Sequence, residues 1–267
     1  MIFLVIFIAL AGILSVLCVS LMICPKCKKM SDSLLKDYAH RGLHGGDVPE
    51  NSLSAFEKAV EEGFGIELDV QLSADGVACV FHDYSLLRMT GVDKKLSDVE
   101  YKELSTLSLG GTNEKIPTLS EVLELVDGKV PLLVELKGES FDTSICGKTA
   151  SLLKEYGGKY CIESFNPLLV RGIKKYLPDA FCGQLYTDLY RDKKIKSKLN
   201  YILVIMAVKF ISKPCFIAYD KEDRNAFPVR FVKKFYKLSP FVWTVKGDKE
   251  IEKAKSLGEY AIFERNI

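Results

Sequence analysis

The chain has 267 residues, 37 of them Lys or Arg and 35 Asp or Glu, for a formal net charge of +2. So even a balance leaves no global field and argues against a nucleic-acid partner. Hydrophobic residues make up 48% of the chain, ordinary for a globular enzyme with an apolar leader.

Taken in order, the leader comes first. Ile2 to Ile23 contains no charged residue. As a helix it would span about 33 Å, against a hydrocarbon core of about 30 Å. A cleaved signal peptide would need a basic start and a small-residue cleavage site, and neither is present. Residues 1–24 are therefore expected to form a single-pass membrane anchor, and residues 25–37 a linker. Lys26, Lys28 and Lys29 follow the apolar run and no Lys or Arg precedes it, so the domain beyond should face the cytoplasm. Cys79, Cys146, Cys161, Cys182 and Cys215 sit mostly in apolar runs and read as reduced core thiols, which fits that compartment. Cys24 and Cys27 form a CxxC with neither a second CxxC nor a nearby His pair, and carry no chemistry in this reading.

The stretch from Tyr38 to Asp83 holds all three histidines, His40, His44 and His82. Tyr38 to Arg41 ends a first strand. Asn51 or Ser52 caps a helix whose apolar residues Leu53, Phe56, Ala59 and Val60 recur at helical spacing. Gly65 to Leu72 is a second strand, and Asp75-Gly76 turns into an extra strand over Val77 to Phe81. From Tyr84 to Lys115 the rhythm breaks into short helical pieces. Thr118, with Glu121 three residues on, opens a helix to Val126. Strands over 132–137, 160–165, 181–186, 215–219, 241–245 and 260–264 then alternate with helices over 142–156, 167–176, 196–210, 227–238 and 249–257. Without the hairpin strand that makes eight strands, and the alternation predicts an α/β fold, a (β/α)₈ barrel.

Within the second strand Glu67 and Asp69 are two residues apart and point the same way, while Ile66, Leu68 and Val70 fill the other face. Two carboxylates aimed together repel unless a cation, a proton or a basic side chain sits between them, and a hard cation is the natural answer. His40, Glu67, Asp69, Glu135, Lys137 and Trp243 all fall late in their strands, so a barrel would gather them at its C-terminal mouth. Four lysines from Lys193 to Lys198 precede an apolar run too short to span a bilayer, and read either as a solvated turn before a buried helix or as a face resting on anionic headgroups near the anchor.

In order and spacing, His40-Arg41-Gly42, Pro49-Glu50-Asn51, Glu67-Leu68-Asp69, Asp75-Gly76 and His82-Asp83 resemble the glycerophosphodiester phosphodiesterase family. Leu86, Arg88, Thr90-Gly91, Ile116 to Leu119 and Glu135-Leu136-Lys137 extend the resemblance, which runs over roughly residues 38–264. It implies a domain over 38–267 with an inserted subdomain at 83–116. It implies that Glu67, Asp69 and Glu135 bind one divalent cation, Ca²⁺ or Mg²⁺, with Glu50 a further candidate. His40 and His82 would be the acid–base pair, since a phosphodiester needs a base for the nucleophile and an acid for the leaving alkoxide. Arg41 and Lys137 would clamp the phosphate, and Trp243 would wall the substrate's alcohol moiety. His44, in a Gly-rich loop, stands outside that pair. The expected activity is hydrolysis of a glycerophosphodiester to an alcohol and sn-glycerol 3-phosphate. A lysophospholipase D acting on membrane lipid, or a non-catalytic phosphate-binding protein, are the rivals. Lys246 after Trp243-Thr244-Val245, and Glu264-Arg265 after the last strand, depart from the family's usual residues at the rim.

Overall fold

A computed structural model describes residues 29–138, 141–188 and 211–265, together with Gly12, Ser15 and Val208. The anchor expected over 1–24 and the helix expected over 196–210 lie, apart from those single residues, outside the described residues. Among the described residues no helix is long and apolar enough to cross a membrane.

The elements run β1 (Tyr38–Ala39), α1 (Leu53–Glu61), β2 (Gly65–Leu72), β3 (Ala78–Val80), α2 (Leu87–Thr90), α3 (Tyr101–Leu104), α4 (Leu119–Val126) and β4 (Leu132–Leu136). They continue with α5 (Ser144–Glu155), β5 (Tyr160–Ser164), α6 (Pro167–Tyr176), β6 (Phe181–Tyr186) and β7 (Phe216–Asp220). The last are α7 (Phe227–Phe231), β8 (Ser239–Lys246), α8 (Asp248–Ser256) and β9 (Tyr260–Glu264). Eight parallel strands pair in the order β1-β2-β4-β5-β6-β7-β8-β9, and β1 pairs again with β9 to close the barrel. β3 lies antiparallel on β2, outside the ring. The expected eight-stranded barrel with an extra hairpin strand is thus the observed one.

Local signals account for the helices. Ser52, not Asn51, caps α1, accepting a hydrogen bond from the Ala55 N–H. Thr118 and Glu121 form a complete capping box on α4, which buries Leu119, Val122, Leu123 and Val126. Two boundaries differ from expectation. β1 stops at Ala39 because Arg41 turns the chain left-handed, at φ 56°. The helix after β7 changes to a wider π turn over Val232–Tyr236, and Lys237, at φ 50°, ends it.

Alternation builds two apolar layers. Ile66, Leu68, Val70, Val134, Ile162 and Val242 face the helices in the main core. Tyr38, Leu133, Cys161, Phe216, Phe241 and Ile262 fill the barrel interior, with Met30 and Leu34 from the stretch read as a linker packed against them. The Tyr38 hydroxyl donates to the Leu34 carbonyl at 2.9 Å, so that stretch is part of the fold. Gly183 makes room for this interior: a Cβ there would come within 2.1 Å of the Phe216 ring. Cys79, Cys146, Cys161 and Cys182 are buried free thiols as expected, whereas Cys215 is disulfide-bonded, against the reading of all five as reduced.

Candidate active site

One step of two residues along each strand turns the apolar interior into a polar mouth. Tyr38 gives way to His40, Leu133 to Glu135, Cys161 to Glu163, Phe241 to Trp243 and Ile262 to Glu264. The parallel register sets Asp69 beside Glu135 and Glu135 beside Glu163. A single pocket is lined by His40, Arg41, Glu67, His82, Glu135, Lys137, Glu163 and Trp243, together with Phe165, Leu185, Thr244 and Ile262. Seven of the eight expected site residues therefore line it. The eighth, Asp69, lies just beneath, 1% exposed.

Glu67, Asp69 and Glu135 each bring a carboxylate oxygen within 4.8 Å of the other two. All three are buried, a costly arrangement for carboxylates in the absence of countercharge. Lys137 Nζ lies 3.0 Å from both Asp69 Oδ1 and Glu135 Oε1. Asn51 Nδ2 donates to Asp69 Oδ2 at 2.9 Å, and the Arg41 backbone N–H donates to Glu67 Oε2 at 2.9 Å. The consequences differ by residue. Burial pushes Glu67 well above the usual carboxylate range, and Asp69 and Glu135 add to it. Glu135 is pushed up to about 7, by burial first, with Lys137 opposing. Asp69 is held well below its usual value, because Lys137, His82, Arg41 and Asn51 together outweigh its burial. An all-oxygen, under-compensated cluster of this kind fits a hard divalent cation.

The two histidines have separate settings. His40 Nδ1 donates to Glu264 Oε1 at 2.9 Å, and its Nε2 lies 4.0 Å from Glu67 Oε2. His82 Nδ1 donates to Asp83 Oδ1 at 2.7 Å. Gln71 Nε2 fastens the His82 loop by donating to the carbonyls of Phe81, His82 and Asp83. Burial lowers both histidines from their usual value. Arg41 is held by Glu50 at 2.8 Å and stands 3.5 Å from Asp69. Glu50 is accordingly a partner of Arg41 and of Arg88, not a member of the carboxylate triad. Trp243 packs edge-on against Phe165, with ring centroids 5.7 Å apart. His44 does not line the pocket.

A model of the glycerophosphoryl diester phosphodiesterase family matches residues 40–264. The chain belongs to that family. A glycerophosphodiester phosphodiesterase of Caldanaerobacter subterraneus is 39% identical over 159 residues, covering 55% of this chain and 65% of that protein. The human lysophospholipase D GDPD1 is 30% identical over 196 residues, 68% of this chain and 58% of that one. This chain thus spans less than two thirds of the length of either relative. An Oleispira antarctica phosphodiesterase, solved with the product sn-glycerol-3-phosphate, superposes with a TM-score of 0.71 at 24% identity, covering 87% of this chain and 94% of that one.

Against the phosphodiesterase motifs, sequence reasoning missed three contributors. Glu163 is a carboxylate late in an apolar strand, the same signal that singles out Glu135. Glu264, taken as a departure at the rim, is the partner of His40. Arg88 bridges Asp83 and Glu50 from α2, which only the fold brings together.

Proposed function

We propose that this protein is a cation-dependent glycerophosphodiester phosphodiesterase that releases an alcohol and sn-glycerol 3-phosphate. The observation that carries the reading is the co-location, in one mouth, of a buried carboxylate triad, two cationic side chains and two oriented histidines. Glu67, Asp69 and Glu135 would hold the cation, Ca²⁺ or Mg²⁺. When bound, such an ion polarises a phosphoryl oxygen and offsets the charge that develops on it.

The chain's own residues supply the rest. Arg41 offers a planar guanidinium and Lys137 a point charge to the phosphoryl oxygens. Substrate phosphate would exchange with carboxylates that now hold both groups. Glu264 and Asp83 each fix one histidine with Nδ1 as donor, leaving Nε2 to take up or deliver a proton. Their lowered pKa values keep a neutral imidazole available near neutral pH. Phe165, Leu185, Trp243 and Ile262 form the apolar side of the pocket and shield the reacting centre from water.

That apolar wall also supports a second reading, lysophospholipase D action on a lysolipid, in line with the human relative's name. An assay separates the readings. Purified protein, stripped with chelator and reconstituted with each cation, is offered glycerophosphocholine and lysophosphatidylcholine. Release of glycerol 3-phosphate from the first supports the proposal; release of choline from the second alone supports the rival. No turnover of either with any cation overturns both and leaves a phosphate-binding protein.

The charge-free run of Ile2 to Ile23 and the lysines after it support a single-pass membrane protein with the barrel in the cytoplasm. Protease applied outside intact cells decides: an uncut barrel supports the cytoplasmic side and a digested one rules it out.

A further inference from the structure

His44 has no part in the chemistry above. Its Nε2 is buried and makes no hydrogen bond among the described residues, a condition that costs free energy and calls for an explanation. Its neighbours are His40 and Glu264, and one ligand atom from each of the three residues lies within 4.8 Å of the other two. Glu264 is shared: Oε1 accepts from His40 Nδ1 at 2.9 Å and Oε2 from Lys246 Nζ at 2.9 Å. The Lys246 side chain is 68% exposed, so releasing it costs no more than the little a surface ion pair is worth.

Two imidazoles and one carboxylate are a different donor set from the triad of Glu67, Asp69 and Glu135. Three carboxylates suit a hard ion, whereas imidazole nitrogens suit Zn²⁺ and its neighbours. We propose that His40, His44 and Glu264 form a second cation site, distinct from the carboxylate triad, which takes Zn²⁺ and thereby inhibits the enzyme. On binding, the hydrogen bond from His40 to Glu264 breaks and the neutral imidazole changes tautomer, its one hydrogen passing by way of solvent from Nδ1 to Nε2. Nitrogen–metal bonds form at His40 and His44, an oxygen–metal bond forms at Glu264, and Lys246 swings out. With its Nδ1 lone pair committed to the metal and its hydrogen now on Nε2, His40 can no longer accept a proton there. The site would make the enzyme responsive to free zinc while its working ion stays in place.

The inhibitory half rests on the role given to His40 above; the binding half does not. The test uses full-length purified protein with saturating Mg²⁺, titrated with Zn²⁺ by calorimetry and with Co²⁺ by visible absorption. We expect one zinc per chain beyond the Mg²⁺ site, the intense bands of tetrahedral, nitrogen-ligated cobalt, and diesterase activity falling in step with occupancy. His44→Gln should weaken zinc on the order of 10²-fold, at the upper end of what supporting partners alone contribute, and keep its basal activity. Lys246→Gln removes the competitor and should tighten zinc several-fold, which guards against a folding defect in the first variant. Parental zinc affinity in a folded His44→Gln protein, or no zinc uptake by the parent under Mg²⁺, overturns the site. Stoichiometric zinc binding that leaves turnover untouched overturns the inhibition and points back at the role of His40.

Discussion

Two buried acidic regions of this barrel are handled in opposite ways. Glu259, just ahead of β9, is 3% exposed and fully answered. Tyr219 Oη donates to it at 2.7 Å, Arg224 Nε at 2.8 Å and Lys233 Nζ at 2.9 Å. Burial alone would raise its pKa, yet these partners hold it below the usual carboxylate value. At the mouth, burial drives Glu67, Glu135 and Glu163 upward, and Glu163 Oε2 has no hydrogen-bond partner among the described residues. The same fold that saturates one carboxylate with three donors leaves a whole group of them short. Structural charge is neutralised within the chain; charge meant for a ligand is left open, and that contrast is what marks the mouth as functional.

The contrast can be broken or sharpened by substitution. The largest effect belongs to the mouth. Asp69→Ala should lower kcat/KM by roughly 10³-fold or more, because several kcal/mol of charge stabilisation goes with the cation. Calorimetry should show the cation lost with it, and a variant that binds and turns over like the parent would sink the assignment. Next come His40→Ala and His82→Ala, each expected to lower kcat by roughly 10² or more with cation affinity retained. A diester that leaves as p-nitrophenolate needs little protonation, so it should partly rescue the variant lacking the acid and not the one lacking the base. Parental rates for both on natural diesters would end the two-histidine mechanism.

At the other region, Glu259→Ala should leave the rate per folded molecule unchanged. It strips one partner from a buried charge network and should cost about 3–5 kcal/mol of stability, read by denaturant unfolding. The pH dependence of stability should carry opposite signs for the two. Glu259, with a lowered folded pKa, contributes above its unfolded value and loses that contribution as pH falls through the folded one. Glu135, raised from 4.5 to about 7, binds its proton more tightly folded than unfolded. Metal-free protein should therefore lose stability as pH rises through that window, and a saturating divalent cation should abolish the loss. A flat thermal midpoint across the window without metal would contradict this. The smallest effect is expected at Arg88→Gln, which unties Asp83 from Glu50. About 2–5-fold in kcat is the scale of a half-exposed ion pair, with KM unchanged because Arg88 does not line the pocket.

Much of this was legible in the sequence, for a definite reason. Barrel strands end in a polar mouth, so a charged residue late in an apolar run declares itself. Glu67, Asp69, Glu135 and Lys137 were found that way, and the strand–helix alternation gave the ring. Glu163 carries the same signal, but the periodicity of Tyr160 to Phe165 by itself says only strand. Partnerships across the ring were not legible. His40 and Glu264 are 224 residues apart and meet because β1 and β9 close the barrel. The disulfide at Cys215 had no local signature, and neither did the π turn after α7. Ser52 was one of two adjacent candidates for the α1 cap, and only the geometry chose between them.

The stretch between β3 and α4 is packed on its own terms. Phe81, Leu86, Leu96, Val99, Leu104, Leu109 and Ile116 form a cluster separate from both barrel layers. That cluster borders the His82 loop, while His40, the triad and Lys137 belong to the barrel. One active site therefore rests on two separately packed parts, and we expect each to open with its own free energy. Warming should unlock the smaller unit first, so that turnover fades while the barrel's amides remain protected from exchange. The temperature ceiling of the activity should then be set by the stretch between β3 and α4 rather than by the barrel itself.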